Sequence, residues 1–426
     1  MRPSNTRPHV SGTRVSGEDP GRGAAPVAPP GQQPDIAALR DGLAPAGHFR
    51  GADLRHIDLQ EAKLRGVMLG GAQLDESVLE AAHLQGADLS AVSMRGAKAN
   101  GADLSEALLE DADLTEASLR FATLDGAILE TGILVRTDLW GASLRGAGLQ
   151  HADLEQANLE EADLSHADLT GANLRGAVLR RAVLTGASLR GADLRGAVVD
   201  RTDFKDADFA EARLDGLVLL NSNIDGIGLA NAQLDRTVID PAALSVTREE
   251  RARDWRAAAR AWHSLERNYL SLGEPEESSR AYRRRRRMQK LAARSEAREA
   301  LGRGDIGGTL RTGARAIADE LVEWVCDYGE SIPRVIGSIV VLALMFAGIY
   351  AVTGAVKHVN GAGLAEPASA IELVAWSFAV MVTGSGLARE SLQGDALAEV
   401  LGTIEAFVAF GLIGLLGFVL GNRIRR

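Results

Sequence analysis

The residues best placed to do chemistry stand near the C-terminus, in "AWSFAVMVTGSGLARES", Ala375 to Ser391. The stretch is apolar, nearly uncharged, and broken by Gly384 and Gly386 around Ser385. It can be a third membrane crossing, a buried turn or the narrow part of a pore. It is not the G-x-S-x-G elbow of a hydrolase, since no histidine lies nearby to serve as base. A second candidate is Glu405, the one carboxylate inside the apolar run "VLGTIEAFVAFGLIGLLGFVLG", Val400 to Gly421. A carboxylate within a membrane segment is a functional hypothesis by default, because burying it in hydrocarbon is costly. The third is the run Arg283, Arg284, Arg285, Arg286 and Arg287. It reads either as a solvated helix paired with Glu276, Glu277 and Glu296, or as a contact for anionic lipid headgroups or an acidic partner. No aromatic residues interleave it, so nucleic acid is not expected. The single cysteine, Cys326, excludes an internal disulfide, and no Cys/His cluster points to zinc. No constellation of titratable groups predicts an enzyme, and no cofactor is expected.

These residues need elements to position them. "VIGSIVVLALMFAGIYAVTGAV", Val335 to Val356, is uncharged over 22 residues, enough to cross ~30 Å of hydrocarbon as a helix. Val400 to Gly421 reads as a second crossing. The uncharged segment between them, Leu373 to Ala388, falls short of the ~20 residues a crossing needs. Charge agrees. Arg334 precedes the first run and Arg423, Arg425 and Arg426 follow the last, while the connection between them is mostly acidic. Two crossings put both basic flanks on the cytoplasmic side; three would strand the arginine tail outside. The middle segment, 371–388, is therefore predicted to dip in and return, protected by protein or water.

Helix, re-entrant loop and helix resemble the two-transmembrane pore module of the potassium-channel-like superfamily. "YGESIPRVIGS" and "LGNRIRR" are similar to ion-channel domains in bacteria. The resemblance implies a pore helix carrying Trp376 and Phe378, and a selectivity filter at Val382, Thr383, Gly384, Ser385 and Gly386. Glycines there would let backbone carbonyls face a dehydrated monovalent cation. It also implies a homotetramer, since one loop cannot surround an ion. Among the departures from T-V-G-Y-G-D, Val382 replaces the inner threonine, Ser385 the aromatic, and Leu387 the outer acid. Potassium selectivity is accordingly not expected to carry over. Glu405 would sit behind the filter. Gly411, Gly414 and Gly417 recur every third residue, permitting close helix packing or a bend.

Most of the chain is different. From Phe49 to Ile239 an apolar residue stands at every fifth position, only Ala99 being small, and Ala commonly precedes it by two. The unit reads A-(D/N)-L-x-x, as in "ADLEQANLEEADLSHADLTGANL". Neither a 3.6-residue nor a two-residue period accommodates five, so a solenoid is predicted in which each coil covers the next. The pattern resembles the pentapeptide-repeat family. That resemblance implies a right-handed quadrilateral β-helix with the centre residue and the small residue two before it pointing inward. About ten coils at ~4.8 Å give a rod of roughly 45–50 Å. Some members of that family are acidic, DNA-shaped rods that bind gyrase. Residues 40–240 hold 33 acidic against 19 basic side chains, but arginines such as Arg175, Arg180, Arg181, Arg190 and Arg195 are interspersed.

After Asp240-Pro241 the period becomes helical, with Trp255, Ala258, Trp262, Leu265 and Tyr269 on one face. Gly273 and Pro275 turn the chain into a second, arginine-rich helix. This hairpin can close the open end of the solenoid, whose last coil would otherwise expose apolar side chains and unpaired backbone. The predicted organisation is a disordered tail (1–37), a β-helix (38–241), a cytoplasmic helical hairpin (242–304), a linker (305–331) and a transmembrane pore module (332–426). Together these predict a multi-pass plasma-membrane cation channel or channel-like protein. Solenoid and C-terminus would face the cytoplasm, with an unidentified protein bound to the solenoid. The alternatives are a non-conducting membrane-anchored scaffold and a gyrase-binding mimic of DNA.

Overall fold

The computed structural model describes residues 36–41, 49–327, 331–359, 365–383 and 392–424. After a short helix α1 (Ile36–Arg40), the solenoid occupies the N-terminal half. Its strands are single-residue parallel bridges between positions 20 apart, such as Asp53 with Gln73 and Leu108 with Ile128, so four pentapeptides make one coil. The centre leucines from Leu59 to Leu89 are fully buried, as are Ala72, Ala82 and Ala87 two residues before their centres. Each such leucine contributes roughly 1.5–3 kcal/mol relative to exposure. Between bridges the backbone turns a corner, and the residue two after each centre has a positive φ at nearly every corner. Glycine takes many of these corners, as at Gly51, Gly66 and Gly71, but glutamate or arginine takes others, as at Glu106, Glu116 and Arg136. The recurrent Asp before each centre is not idle. Asp88, Asp103, Asp113 and Asp168 each accept a hydrogen bond from the backbone N–H two residues on, at 3.2, 3.1, 3.0 and 3.0 Å, which fixes the corner.

The solenoid ends against helices. α2 (Arg248–Arg251), α3 (Trp255–Leu272) and α4 (Pro275–Gly302) follow it. Asp254 caps α3 by accepting from Ala257 N at 3.0 Å, and left-handed Gly273 ends it, so α4 turns back along α3. Ala258, Ala261, Trp262, Leu265 and Tyr269 join the core of the last coil. Two side chains replace the missing next coil. Glu249 accepts from the Leu229 and Ala230 N–H groups, both at 2.8 Å. Asn268 donates to Thr237 O at 2.8 Å and accepts from Thr237 N at 3.1 Å. The predicted closure of the solenoid is thereby seen, with its polar half supplied by residues the periodicity did not single out.

The segment expected to be a linker is instead helix α5 (Ile306–Cys326), capped by Asp305, which accepts from Gly308 N at 2.8 Å. It lies along α4, held by Lys290 and Arg287 (3.0 Å) on Glu323 and by Arg294 on Glu320. Burial raises the cost of ionising Glu323, but Lys290 and Arg287 outweigh it and hold its carboxyl below the ordinary range. Beyond α5 come α6 (Ile332–Thr353), strands β1 (Val356–Val359) and β2 (Ala365–Pro367), α7 (Ala370–Thr383), β3 (Leu392–Gly394) and α8 (Ala396–Ile424). β1 is the middle strand of a small antiparallel sheet ordered β2-β1-β3.

Candidate functional site

α6 and α8 are long and apolar enough to cross a membrane, with mean hydropathies of 2.5 and 2.2. Within the chain their apolar stretches are only 33% and 22% buried, unlike core helices of a soluble domain. They run antiparallel. Val335, near the start of α6, packs on Val419 near the end of α8, while Phe346 and Tyr350 share a cluster with Ala398 at the other end. Both ends of the segment between them attach to the same sheet. β1 follows α6 directly, β2 leads into α7, and β3, paired with β1, leads into α8.

α7 starts at this sheet. Ser369 and Glu372 form a reciprocal cap, with Glu372 accepting from the Ser369 N–H and hydroxyl at 2.8 Å. His358 on β1 lies 2.9 Å from Glu372 and holds the first turn in place. The helix then passes between α6 and α8 and stops halfway along them, where Met381 packs on Ala343 and Ala409. At its centre Glu405 of α8 is fully buried and accepts hydrogen bonds from Tyr350 Oη of α6 (2.9 Å) and from the Ser377 hydroxyl of α7. One carboxylate thus ties all three helices together. Gly402, one turn earlier on α8, faces the same junction: a Cβ there would stand in ordinary van der Waals contact with Val380 at 3.6 Å and Tyr350 Oη at 3.7 Å.

The expected site residues distribute unevenly over this frame. Trp376 faces the sheet end, 3.3 Å from where a Cβ on Gly394 would stand, and Phe378 is exposed. Val382 and Thr383 form the last turn of α7, Val382 being 69% exposed. The rest of the expected filter, Gly384, Ser385 and Gly386, lies outside the described residues. The predicted loop of 371–388 begins as a regular helix through Thr383. Gly411 and Gly414 do not mediate packing within the chain, since a Cβ on either meets nothing within 4 Å, and α8 continues through both as one helix. The intrachain glycine contact is Gly402, which the every-third-residue pattern did not include. The partners of Glu405, Tyr350 and Ser377, were also missed; a lone acid in an apolar run was the available signal that donors had to exist nearby.

The arginine run is engaged inside the chain. Arg283 lies 3.8 Å from Asp327, Arg285 is 2.9 Å from Glu266, and Arg287 is on Glu323. Arg284 stacks over Trp262 and pairs with Glu250 at 3.1 Å, and Arg286 donates to Gln289 at 2.9 Å. These partners are not the expected Glu276, Glu277 and Glu296. A lipid or protein would have to displace them. On the solenoid, arginines likewise sit on acids, as Arg136 on Glu116, Arg181 on Glu161, and Arg190 on Asp208 at 3.2 Å, so no face is uniformly negative. Among the described residues no group of His, Cys, Asp and Glu could hold a metal ion.

Repeats of twenty-residue coils with this signature define a class. The profile of the family described as "Pentapeptide repeats" matches in eight copies, over residues 48–80, 72–111, 93–130, 132–160 and 162–199. Among solved structures, HetL from the cyanobacterium Nostoc sp. strain PCC 7120, a pentapeptide repeat protein involved in heterocyst differentiation regulation, is 32% identical. That match covers 51% of this chain and 94% of HetL, with a TM-score of 0.39. QnrB1, a plasmid-mediated fluoroquinolone resistance protein, is 18% identical over 47% of this chain and 91% of its own, at a TM-score of 0.36. Rfr23 from the cyanobacterium Cyanothece 51142 is 41% identical over 22% of this chain and 62% of its own, at a TM-score of 0.18. No curated protein matches. The chain belongs to the pentapeptide-repeat family. The profile matches all lie in the solenoid, so the C-terminal module is read from its own geometry.

Proposed function

We propose that the chain is a membrane-anchored pentapeptide-repeat protein whose C-terminal module conducts monovalent cations once four copies meet about a common axis. The observation that carries this reading is a half-length apolar helix, α7, which leaves a sheet, ends midway between two spanning-length helices, and whose chain is back at that sheet by Leu392. In a bilayer, backbone released at that depth needs protein or water as a partner. A helix C-terminus carries about half a negative charge on its unpaired carbonyls, so the last turn of α7 is where a partly dehydrated cation would be stabilised. One module supplies one such terminus and one Gly-Ser-Gly segment. Closing a ring around an ion takes several. The exposed apolar residues Val341, Leu344, Phe407, Phe410 and Phe418 are available for lipid or for neighbouring copies.

In this reading both basic flanks face the cytoplasm, with the solenoid as a rigid arm and α5 as the link from its helical cap to α6. The purified protein in nanodiscs should be a tetramer by native mass spectrometry, and in liposomes it should release a monovalent-cation gradient. Gly384→Ala or Gly386→Ala should suppress that flux. A tetramer without flux under every voltage and gradient applied would favour a membrane scaffold, and a monomer or dimer would exclude this pore.

A further inference from the structure

A cleft of about 930 Å³ lies between the last solenoid coil and helices α3, α4 and α5. Its volume falls in the range that encloses small organic ligands, about 300–1,000 Å³. Its wall carries more arginines than acids. Arg256, Arg260 and Arg267 stand four and seven residues apart, a ridge along one face of α3, and Arg315 reaches in from α5. Arg256 is neutralised by Glu296 at 2.8 Å. Among the described residues Arg260, Arg267 and Arg315 have no acidic partner, in a protein whose other arginines mostly do. Two acids, Asp215 and Asp235, stand on the solenoid rim of the cleft, where the Asp215 carboxylate accepts from the Asp235 backbone N–H at 3.0 Å. Gln233 and Gln289 offer amide groups beside these three guanidinium groups.

We infer that this cleft binds a phosphorylated small molecule of nucleotide size, its phosphates held by Arg260, Arg267 and Arg315. Planar guanidinium groups bind phosphate oxygens in pairs, and three of them line this cleft with no acidic partner of their own among the described residues. The polar amides fit the neutral remainder of such a ligand. The site is independent of conduction, because it lies outside the membrane module. It joins α3 to α5, the helix that precedes α6 in the chain, so occupancy would clamp α5 against the cap.

The test uses the full-length protein in detergent, with ATP and inorganic pyrophosphate as probes in titration calorimetry at physiological salt. ATP should bind with micromolar affinity, and Arg260→Gln with Arg267→Gln should weaken it at least tenfold, as should Arg315→Gln alone. Arg175→Gln, on the solenoid, should leave it unchanged. Bound ATP should also slow hydrogen exchange of the α5 amides in wild type and not in Arg315→Gln. Vesicles of anionic lipid form a separate arm; if they compete with ATP for the site, the phosphate comes from a headgroup. No binding of either probe at millimolar concentration, or equal binding by the arginine variants, would overturn the inference.

Discussion

Replacing Glu405 should release the half-length helix. Glu405, Ser377 and Tyr350 are all fully buried, and the carboxylate is the acceptor for both hydroxyl groups. Glu405→Ala leaves two buried donors without acceptors, each costing about 1–3 kcal/mol, or about 2–6 kcal/mol together. Against a domain stability of about 5–15 kcal/mol this is a large loss. Glu405→Gln keeps the volume and one carbonyl oxygen, and its amide can donate to the second hydroxyl, so the loss should be about 1 kcal/mol. Ser377→Ala and Tyr350→Phe remove one hydroxyl donor each and should fall between the two. Hydrogen exchange measured in detergent micelles reads this as local opening of α7. At about 1.4 kcal/mol per decade, protection of the α7 amides should fall at least ~30-fold in Glu405→Ala and about fivefold in Glu405→Gln. Exchange of α7 in Glu405→Ala within twofold of wild type would refute the view that this carboxylate ties the three helices together.

Two further outcomes follow from the solenoid and its cap. Glu249→Ala should destabilise the solenoid and its cap by about 2–6 kcal/mol in urea unfolding, because the buried Leu229 and Ala230 N–H groups lose their acceptor, while Glu249→Gln should lose less. Burial raises the Glu249 carboxyl above its ordinary range despite those donors, so its protonated form favours the folded state and that stabilisation fades as pH rises through the folded-state value. The stability of wild type relative to Glu249→Gln should therefore be highest near pH 4 and fall towards neutrality; the opposite slope would contradict the burial argument. At the corners, Gly191→Ala meets open space at φ +67 and should cost about 1–2 kcal/mol, whereas Gly171→Ala also brings a Cβ to 2.5 Å from His151 Nδ1 and should cost more unless the imidazole swings away. Equal urea midpoints for wild type and both variants would sink this.

The solenoid was legible because its information is local and repeated: a centre leucine every fifth residue has one consistent geometric solution. Its corners were half legible. Glycine is frequent two residues after the centre, but Glu106, Glu116 and Arg136 adopt the same left-handed backbone and hide the rule. The cap was legible in its apolar face and not in Glu249 and Asn268, since nothing in a helix period says that one polar side chain will meet an unpaired strand edge. α5 is hard to recognise as a packed helix: its apolar positions Ile306, Leu310, Ile317 and Leu321 remain exposed, and much of its hold on α4 comes from ion pairs. In the C-terminal module, length and charge predict two spanning-length helices and a shorter segment between them. They could not predict Gly402 over Gly411 and Gly414, because which glycine meets a neighbour depends on where α7 stops.

The central claim is that the segment 371–388 goes into the bilayer and comes back on one side, and cysteine labelling tests it directly. In a Cys326→Ser background, Gly302→Cys, Lys357→Cys and Asn422→Cys would each be reacted with a membrane-impermeant maleimide on oriented vesicles. Gly302→Cys and Asn422→Cys should label from the same face, and Lys357→Cys from the opposite one. Labelling of Asn422→Cys together with Lys357→Cys, and apart from Gly302→Cys, would mean a third crossing and would contradict the account.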